Sequence, residues 1–184
     1  SFSRRMLIAC LTLVISLFLS ATAFAYQNQD ALKWFNDGVN EPDPAKKIEA
    51  YQKAIETDPG FVEAYYNLSL VYKRQKNDQL FLQNIRLADE KHHRNVKRET
   101  RVAVVYELAQ AHRNVGNMDE YKQALYRARK LTKDRLQRAQ ITFDLARVFH
   151  SQGLYPEALS ELKNAKDISP AYRNLFTTLI ESSE

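Results

Sequence analysis

An all-α fold made of stacked helix pairs is what this 184-residue sequence predicts, and three observations carry the prediction. One set of large and small residues recurs four times along the chain. Within each recurrence, apolar residues fall three and four places apart, the spacing of a single helical face. The breaks between the faces hold residues that start, stop or turn helices. The recurrence is clearest around Gly116 and Gly153. Each has Leu eight places before it (Leu108, Leu145), Ala seven before it (Ala109, Ala146) and Ala twelve after it (Ala128, Ala165). Upstream, Tyr65, Leu68, Ser69, Tyr72 and Ala88 fit the same template, as do Trp34, Gly38, Tyr51, Ala54 and Pro59. A chain that repeats itself in this way buries its apolar faces by stacking one repeat on the next.

Residues 1–25 stand outside the repeats. Arg4 and Arg5 precede an uncharged apolar run from Met6 to Leu19, and small residues then lead to Ala23-Phe24-Ala25. This is the layout of a secretory signal peptide cleaved after Ala25. The alternative is an uncleaved anchor, since Met6 to Ala25 is long enough to cross a hydrocarbon core of about 30 Å as a helix. The A-x-A site favours cleavage, so the expected location is exported, periplasmic or secreted. Leu7-Ile8-Ala9-Cys10 imitates a lipoprotein box, but most of the apolar run lies after the cysteine rather than before it. Cys10 is the only cysteine. The expected mature domain, residues 26–184, therefore forms no disulfide and must be held together by burial alone.

The first repeat spans residues 31–61. Its second helix starts at Asp43-Pro44, where a capping side chain precedes a proline whose missing N–H costs nothing in the first turn. This repeat is short by about one helical turn, with Asn40 to Pro44 replacing the usual end of the first helix, and Pro59 lies beyond its second helix. The second repeat, residues 62–95, sets Tyr65, Leu68 and Tyr72 on one face, breaks at Lys76-Asn77-Asp78 and resumes with Phe81, Ile85 and Ala88. The third, residues 102–135, turns at Gly116. The fourth, residues 139–172, turns at Gly153 and opens its second helix near Pro156. Both glycines fall where a positive φ is expected. Small residues at the eighth place (Gly38, Ser69, Ala109, Ala146) and late in each second helix (Ala54, Ala88, Ala128, Ala165) let helix axes approach closely. Extra residues between repeats, including Arg94 to Arg101, imply longer helices there or local irregularity. A capping helix is expected at about residues 170–182, where Tyr172, Leu175, Phe176 and Leu179 form an apolar face. Capping alone accounts for that face, so a monomer is expected rather than a dimer docked through it.

These residues resemble the tetratricopeptide repeat family, whose unit of about 34 residues is described by this set of large and small positions. The resemblance covers nearly all of residues 26–184. It implies a right-handed α-solenoid of about four helix pairs whose first helices line a concave groove. It also implies which places face that groove: the fifth, ninth, twelfth and thirteenth of each first helix. The fifth place holds Phe35, Tyr66, Tyr106 and Phe143, all of them aromatic. Asn67 at the sixth place and Leu70, Lys73 and Arg74 add to the second repeat, Gln110 and Arg113 to the third, and Arg147 and His150 to the fourth. An aromatic row beside Lys and Arg suits an extended protein segment with apolar side chains and an acidic group, because rings give rigid contact area and Arg pairs well with carboxylate. Rings packed between neighbouring first helices would produce the same row with no partner. Some family members hold a terminal carboxylate with two Asn, two Lys and one Arg. This chain matches that clamp only at Asn67, and Ala103 and Glu107 stand where Lys and Arg are required, so that mode is not expected.

The formal charge of +5 falls to about +3 once Arg4 and Arg5 are removed, a mildly basic balance. The first repeat is acidic through Asp37, Glu41, Asp43, Glu49, Glu56 and Asp58. The middle is basic through Lys91, Arg94, Lys97, Arg98 and Arg101, then Lys122, Arg127, Arg129, Lys130, Lys133, Arg135 and Arg138. A solvated outer face is the expected meaning of this cluster, with anionic lipid or another polyanion as the alternative. Nucleic acid is a poor partner for an exported protein.

No enzyme is expected. The sequence has no Gly-rich phosphate loop, no H-E-x-x-H and no nucleophile elbow. His92-His93 are adjacent, so on a helix they diverge rather than chelate. His112 is expected to pack in place of a Tyr and His150 to be a polar group in the groove. Asn67-Leu68-Ser69 matches a glycosylation acceptor but falls inside a helix. Neither a metal nor a cofactor is called for, and the partner expected is a protein or peptide.

Overall fold

The computed structural model describes residues 29–91, 96–168 and 181, and every regular element among them is an α-helix. In chain order these are α1 (29–40), α2 (Pro44–Thr57), α3 (Val62–Arg74), α4 (Asp78–Glu90), α5 (Arg98–Asn114), α6 (Met118–Leu131), α7 (Arg135–Ser151) and α8 (Tyr155–Ile168). No helix among the described residues is long and apolar enough to cross a membrane. The expected leader, His92-His93 and nearly all of the expected capping helix lie outside the described residues. The chain divides into two compact units, residues 1–64 and 65–184, with the boundary in the first turn of α3.

In the first compact unit, Asp43 caps α2 by accepting hydrogen bonds from the backbone N–H groups of Ala45 and Lys46 at 2.8 and 3.1 Å, with Pro44 in the first turn. Those two N–H donors hold the Asp43 carboxyl below its ordinary pKa. Gly38 lies under the buried ring of Tyr51, and a Cβ there would sit 2.7 Å from it. Its small size is therefore what lets α1 and α2 approach. Two ammonium groups approach the Trp34 ring, Lys33 Nζ at 4.9 Å and Lys53 Nζ at 4.6 Å.

In the second compact unit three turns share one construction. Lys76, Gly116 and Gly153 have φ of 57°, 82° and 72°. The residue after each sends its N–H back to a carbonyl of the preceding helix: Asn77 to Tyr72 at 3.0 Å, Asn117 to His112 at 2.9 Å and Leu154 to Phe149 at 2.9 Å. A left-handed residue followed by this long backward bond is the glycine-type helix stop. The expected positive φ at both glycines is present, and Lys76 adopts it without being a glycine. The additional residues between repeats lengthen helices: α5 and α7 have 17 residues each, against 13 in α3.

One core cluster joins α5, α6 and α7 through Val105, Ala109, Tyr121, Ala124, Leu125, Ala128, Ile141, Leu145 and Val148. The small residues perform the expected task, since Ser69, Ala88, Ala109, Ala128 and Ala146 are completely buried. Polar links run along the second helices as well. Arg127 of α6 makes a two-pronged bond to Asp89 of α4 at 2.8 and 3.0 Å, and Arg129 donates to Glu161 of α8 at 2.5 Å. Lys122 pairs with Asp119, and Arg138 donates to the Thr132 carbonyl. Four members of the basic cluster thus have partners within the protein, and two of them, Arg127 and Arg129, find those partners on helices a whole repeat away.

Candidate functional site

The first helices of the later repeats, α3, α5 and α7, carry all the expected groove residues except Phe35. That residue lies in the first compact unit, half-buried, with its ring 4.9 Å from Phe61 and 5.8 Å from Tyr51. In the second compact unit Tyr66, Tyr106 and Phe143 occupy the same place on α3, α5 and α7, and each is half-buried. These rings thus pack on one side while keeping part of their surface in water.

Polar links join the three helices beside this row. Lys73 Nζ of α3 donates to Glu107 Oε2 of α5 at 2.6 Å, and its ammonium also lies 5.5 Å from the Phe81 ring. The Tyr106 hydroxyl donates to Asp144 Oδ2 of α7 at 2.9 Å, while Gln140 Nε2 donates to the other carboxylate oxygen at 3.2 Å. Asp144 is only 4% exposed. Burial raises its carboxyl above the ordinary value, opposed by the bonds from Tyr106 and Gln140 and by the charges of Arg147 and Arg113. Tyr106 is raised by burial and by the Asp144 charge, and Tyr66 by burial and the Glu107 charge. These phenols stay protonated and serve as donors and contact area.

Beyond that link the face turns cationic. Arg113 and Arg147 are both exposed, and the Arg113 guanidinium lies 5.9 Å from the Tyr121 ring. Together with Met118, Tyr121, Asp144, Val148 and Ser151 they line a small pocket of about 140 Å³. Two larger hollows lie away from the aromatic row. One of about 440 Å³ is lined by residues such as Arg98, Glu99, Lys133 and Asp134, and one of about 280 Å³ by α4 residues such as Gln83 and Arg86. Among the described residues, no group of three or more His, Cys, Asp or Glu side chains is placed to hold a metal.

The other expected residues spread more widely. Asn67 and Leu70 are half-buried, and Arg74 is exposed. Gln110 is 6% exposed, and its Nε2 is buried without a hydrogen-bond acceptor. Such a donor loses its hydration with nothing in return. The His150 ring meets Tyr155 edge-on at 5.3 Å, whereas His112 is buried at 7% exposure with Nδ1 3.4 Å from Asn117 Nδ2. Burial, reinforced by the Arg86 charge, holds His112 below its ordinary pKa. Sequence reasoning passed over Glu107 as a groove residue and Asp144 altogether. Both hold the sixth place, the column from which only Asn67 was taken, so reading that column through the later repeats would have found them.

A family model described as "Tetratricopeptide repeat protein 21 ARM repeat" matches residues 79–177, more than half of the chain, and one described as "TPR repeat" matches residues 48–76. The chain belongs to the tetratricopeptide repeat family. No enzyme family is indicated by either match. No curated protein matches the sequence. Solved structures share the fold. The MamA protein superposes with a TM-score of 0.65 at 19% identity, over 84% of this chain and 86% of that one. YrrB, described as "a TPR protein with an unusual peptide-binding site", gives 0.68 at 19% identity, over 89% and 80%. PilF of Pseudomonas aeruginosa gives 0.55 at 17% identity, over 89% and 78%.

Proposed function

We propose that this tetratricopeptide repeat chain is a non-catalytic adaptor that holds an extended protein segment along the first helices of its repeats in an exported compartment. One observation carries the proposal: Tyr66, Tyr106 and Phe143 recur at a single helical place, each half in water, beside the exposed cations Arg113 and Arg147. Rings held rigid by packing on one side lose little entropy when the other side is covered, which is what a peptide-binding face requires. The same fold in YrrB, with its described peptide-binding site, supports this use of the scaffold. Export rests on the Arg4 and Arg5 pair, the apolar run and the A-x-A site within residues 4–25, the layout of a secretory signal peptide. Sequencing the N-terminus of the exported protein tests it, and a start at Tyr26 is expected.

The groove is tested by panning a displayed peptide library against the chain and rebinding the enriched peptides to a variant carrying Tyr66→Ala and Arg113→Gln. Binding should fall at least tenfold while far-UV circular dichroism is unchanged. Unaltered binding by the folded variant would place the peptide site elsewhere.

A further inference from the structure

The pocket among α5, α6 and α7 combines features that the rest of the aromatic face lacks. Two cationic side chains from different helices, Arg113 of α5 and Arg147 of α7, line the same 140 Å³ space. Among the described residues neither guanidinium forms an ion pair. Asp144, the one carboxylate in the lining, is nearly buried, and its two oxygens are taken by Tyr106 and Gln140. The pocket therefore has two exposed cations against one carboxylate that is already hydrogen-bonded inside the protein. The 440 Å³ hollow differs on this point. Its cations Arg98 and Lys133 stand beside Glu99 and Asp134, which balance them, and Asp134 already caps α7. Apolar surface completes the smaller pocket. Met118 is 40% exposed at its rim, the Tyr121 ring lies under Arg113, and Val148 is buried behind.

From this arrangement we infer that the Arg113–Arg147 pocket is the subsite for an acidic side chain of the bound segment, a Glu or Asp flanked by apolar residues that rest on Met118 and the neighbouring rings. A guanidinium offers paired N–H donors to a carboxylate, and the apolar surface of Met118, Tyr121 and Val148 beside two of them suits a carboxylate carried on an apolar segment. The inference rests on the adaptor proposal and specifies the chemistry of its partner.

The test is a nuclear magnetic resonance titration of the isotope-labelled full chain with capped tripeptides, following arginine Nε–H and tyrosine ring signals. The probes are acetyl-Leu-Glu-Leu-amide, the same peptide with Gln for Glu, acetyl-Leu-Leu with a free C-terminal acid, and inorganic phosphate. The Glu peptide should shift the Arg113 and Arg147 signals and bind at least tenfold more tightly than the Gln peptide. That advantage should shrink with added salt and vanish in a folded variant with Arg113→Gln and Arg147→Gln. Equal binding of the Glu and Gln peptides overturns the subsite. If both still shift the Tyr66 and Tyr106 rings, the adaptor proposal survives that failure; if neither shifts them, both fall. Stronger binding of the free-acid peptide or of phosphate than of the Glu peptide also overturns the side-chain assignment.

Discussion

Replacing Tyr106 with Phe removes one oxygen and tests the link between the first helices of the last two repeats. The hydroxyl donates to Asp144 Oδ2 at 2.9 Å, and Asp144 has only 4% of its surface in water. With the phenol gone, a nearly buried carboxylate retains Gln140 as its hydrogen-bond donor. A hydrogen bond to a charged group contributes about 1.5–3 kcal/mol, and for a domain of this size each kcal/mol moves the melting midpoint by roughly 2–4 °C. A fall of about 4–8 °C at neutral pH is expected for a loss near 2 kcal/mol. The pH dependence gives a second check. Burial raises the native Asp144 pKa above its unfolded value of 3.8, so charging this group costs the native state stability, increasingly as pH rises through the native pKa. The phenol offsets part of that cost and does so only while the group is charged. Damage from Tyr106→Phe should therefore be complete at neutral pH and fade as pH falls through the native Asp144 pKa toward 4. In an Asp144→Asn background the same replacement should cost less than half as much. Thermal melts followed by far-UV circular dichroism, comparing the variants at both pH values, measure all of this. An equal loss at both pH values, or no loss at neutral pH, would refute the buried-carboxylate reasoning.

Further outcomes follow from the turns and the core. Lys76 holds a left-handed φ of 57° that glycine adopts freely, so Lys76→Gly should raise stability by about 0.5–1 kcal/mol in chemical denaturation. Gly38→Ala puts a Cβ 2.7 Å from the buried Tyr51 ring and should destabilise by about 1–3 kcal/mol through overpacking, read as a lower denaturation midpoint. His112 is buried with its pKa below the ordinary 6.5, so the fold favours the neutral ring and its stability is lost as pH falls through 6.5 and below. Between neutral pH and about 5.5 the wild type should therefore lose more melting temperature than His112→Phe.

Much of the architecture was legible because the repeat is made of size and spacing. Gly116 and Gly153 marked their turns, Asp43-Pro44 marked a helix start, and the small eighth-place residues marked where axes approach. Lys76 was hidden because a left-handed lysine is rare and has no glycine to announce it. The polar links were hidden for a different reason. Tyr106 and Asp144 lie 38 residues apart and Lys73 and Glu107 34 apart, and each bond depends on the register of one repeat upon the next, which no local pattern states. The basic cluster shows the same limit. Counted along the chain, Arg127 and Arg129 are cations on one helix, but each is met by a carboxylate from a different helix, Asp89 of α4 or Glu161 of α8. In the candidate groove, residue types indicated aromatic area and positive charge. That Lys73 is held in an ion pair with Glu107, while Arg113 and Arg147 form none among the described residues, emerged only from the packing.

The most direct measurement of the central claim is photo-crosslinking of a library-selected peptide that carries one benzophenone side chain, with the attachment points mapped on the full chain by mass spectrometry. The account predicts adducts on α3, α5 and α7, around Leu70, Tyr106, Arg113 and Arg147, and their loss on competition with unlabelled peptide. Competable adducts confined to α4 or α6, at residues such as Gln83 or Arg127, would contradict it.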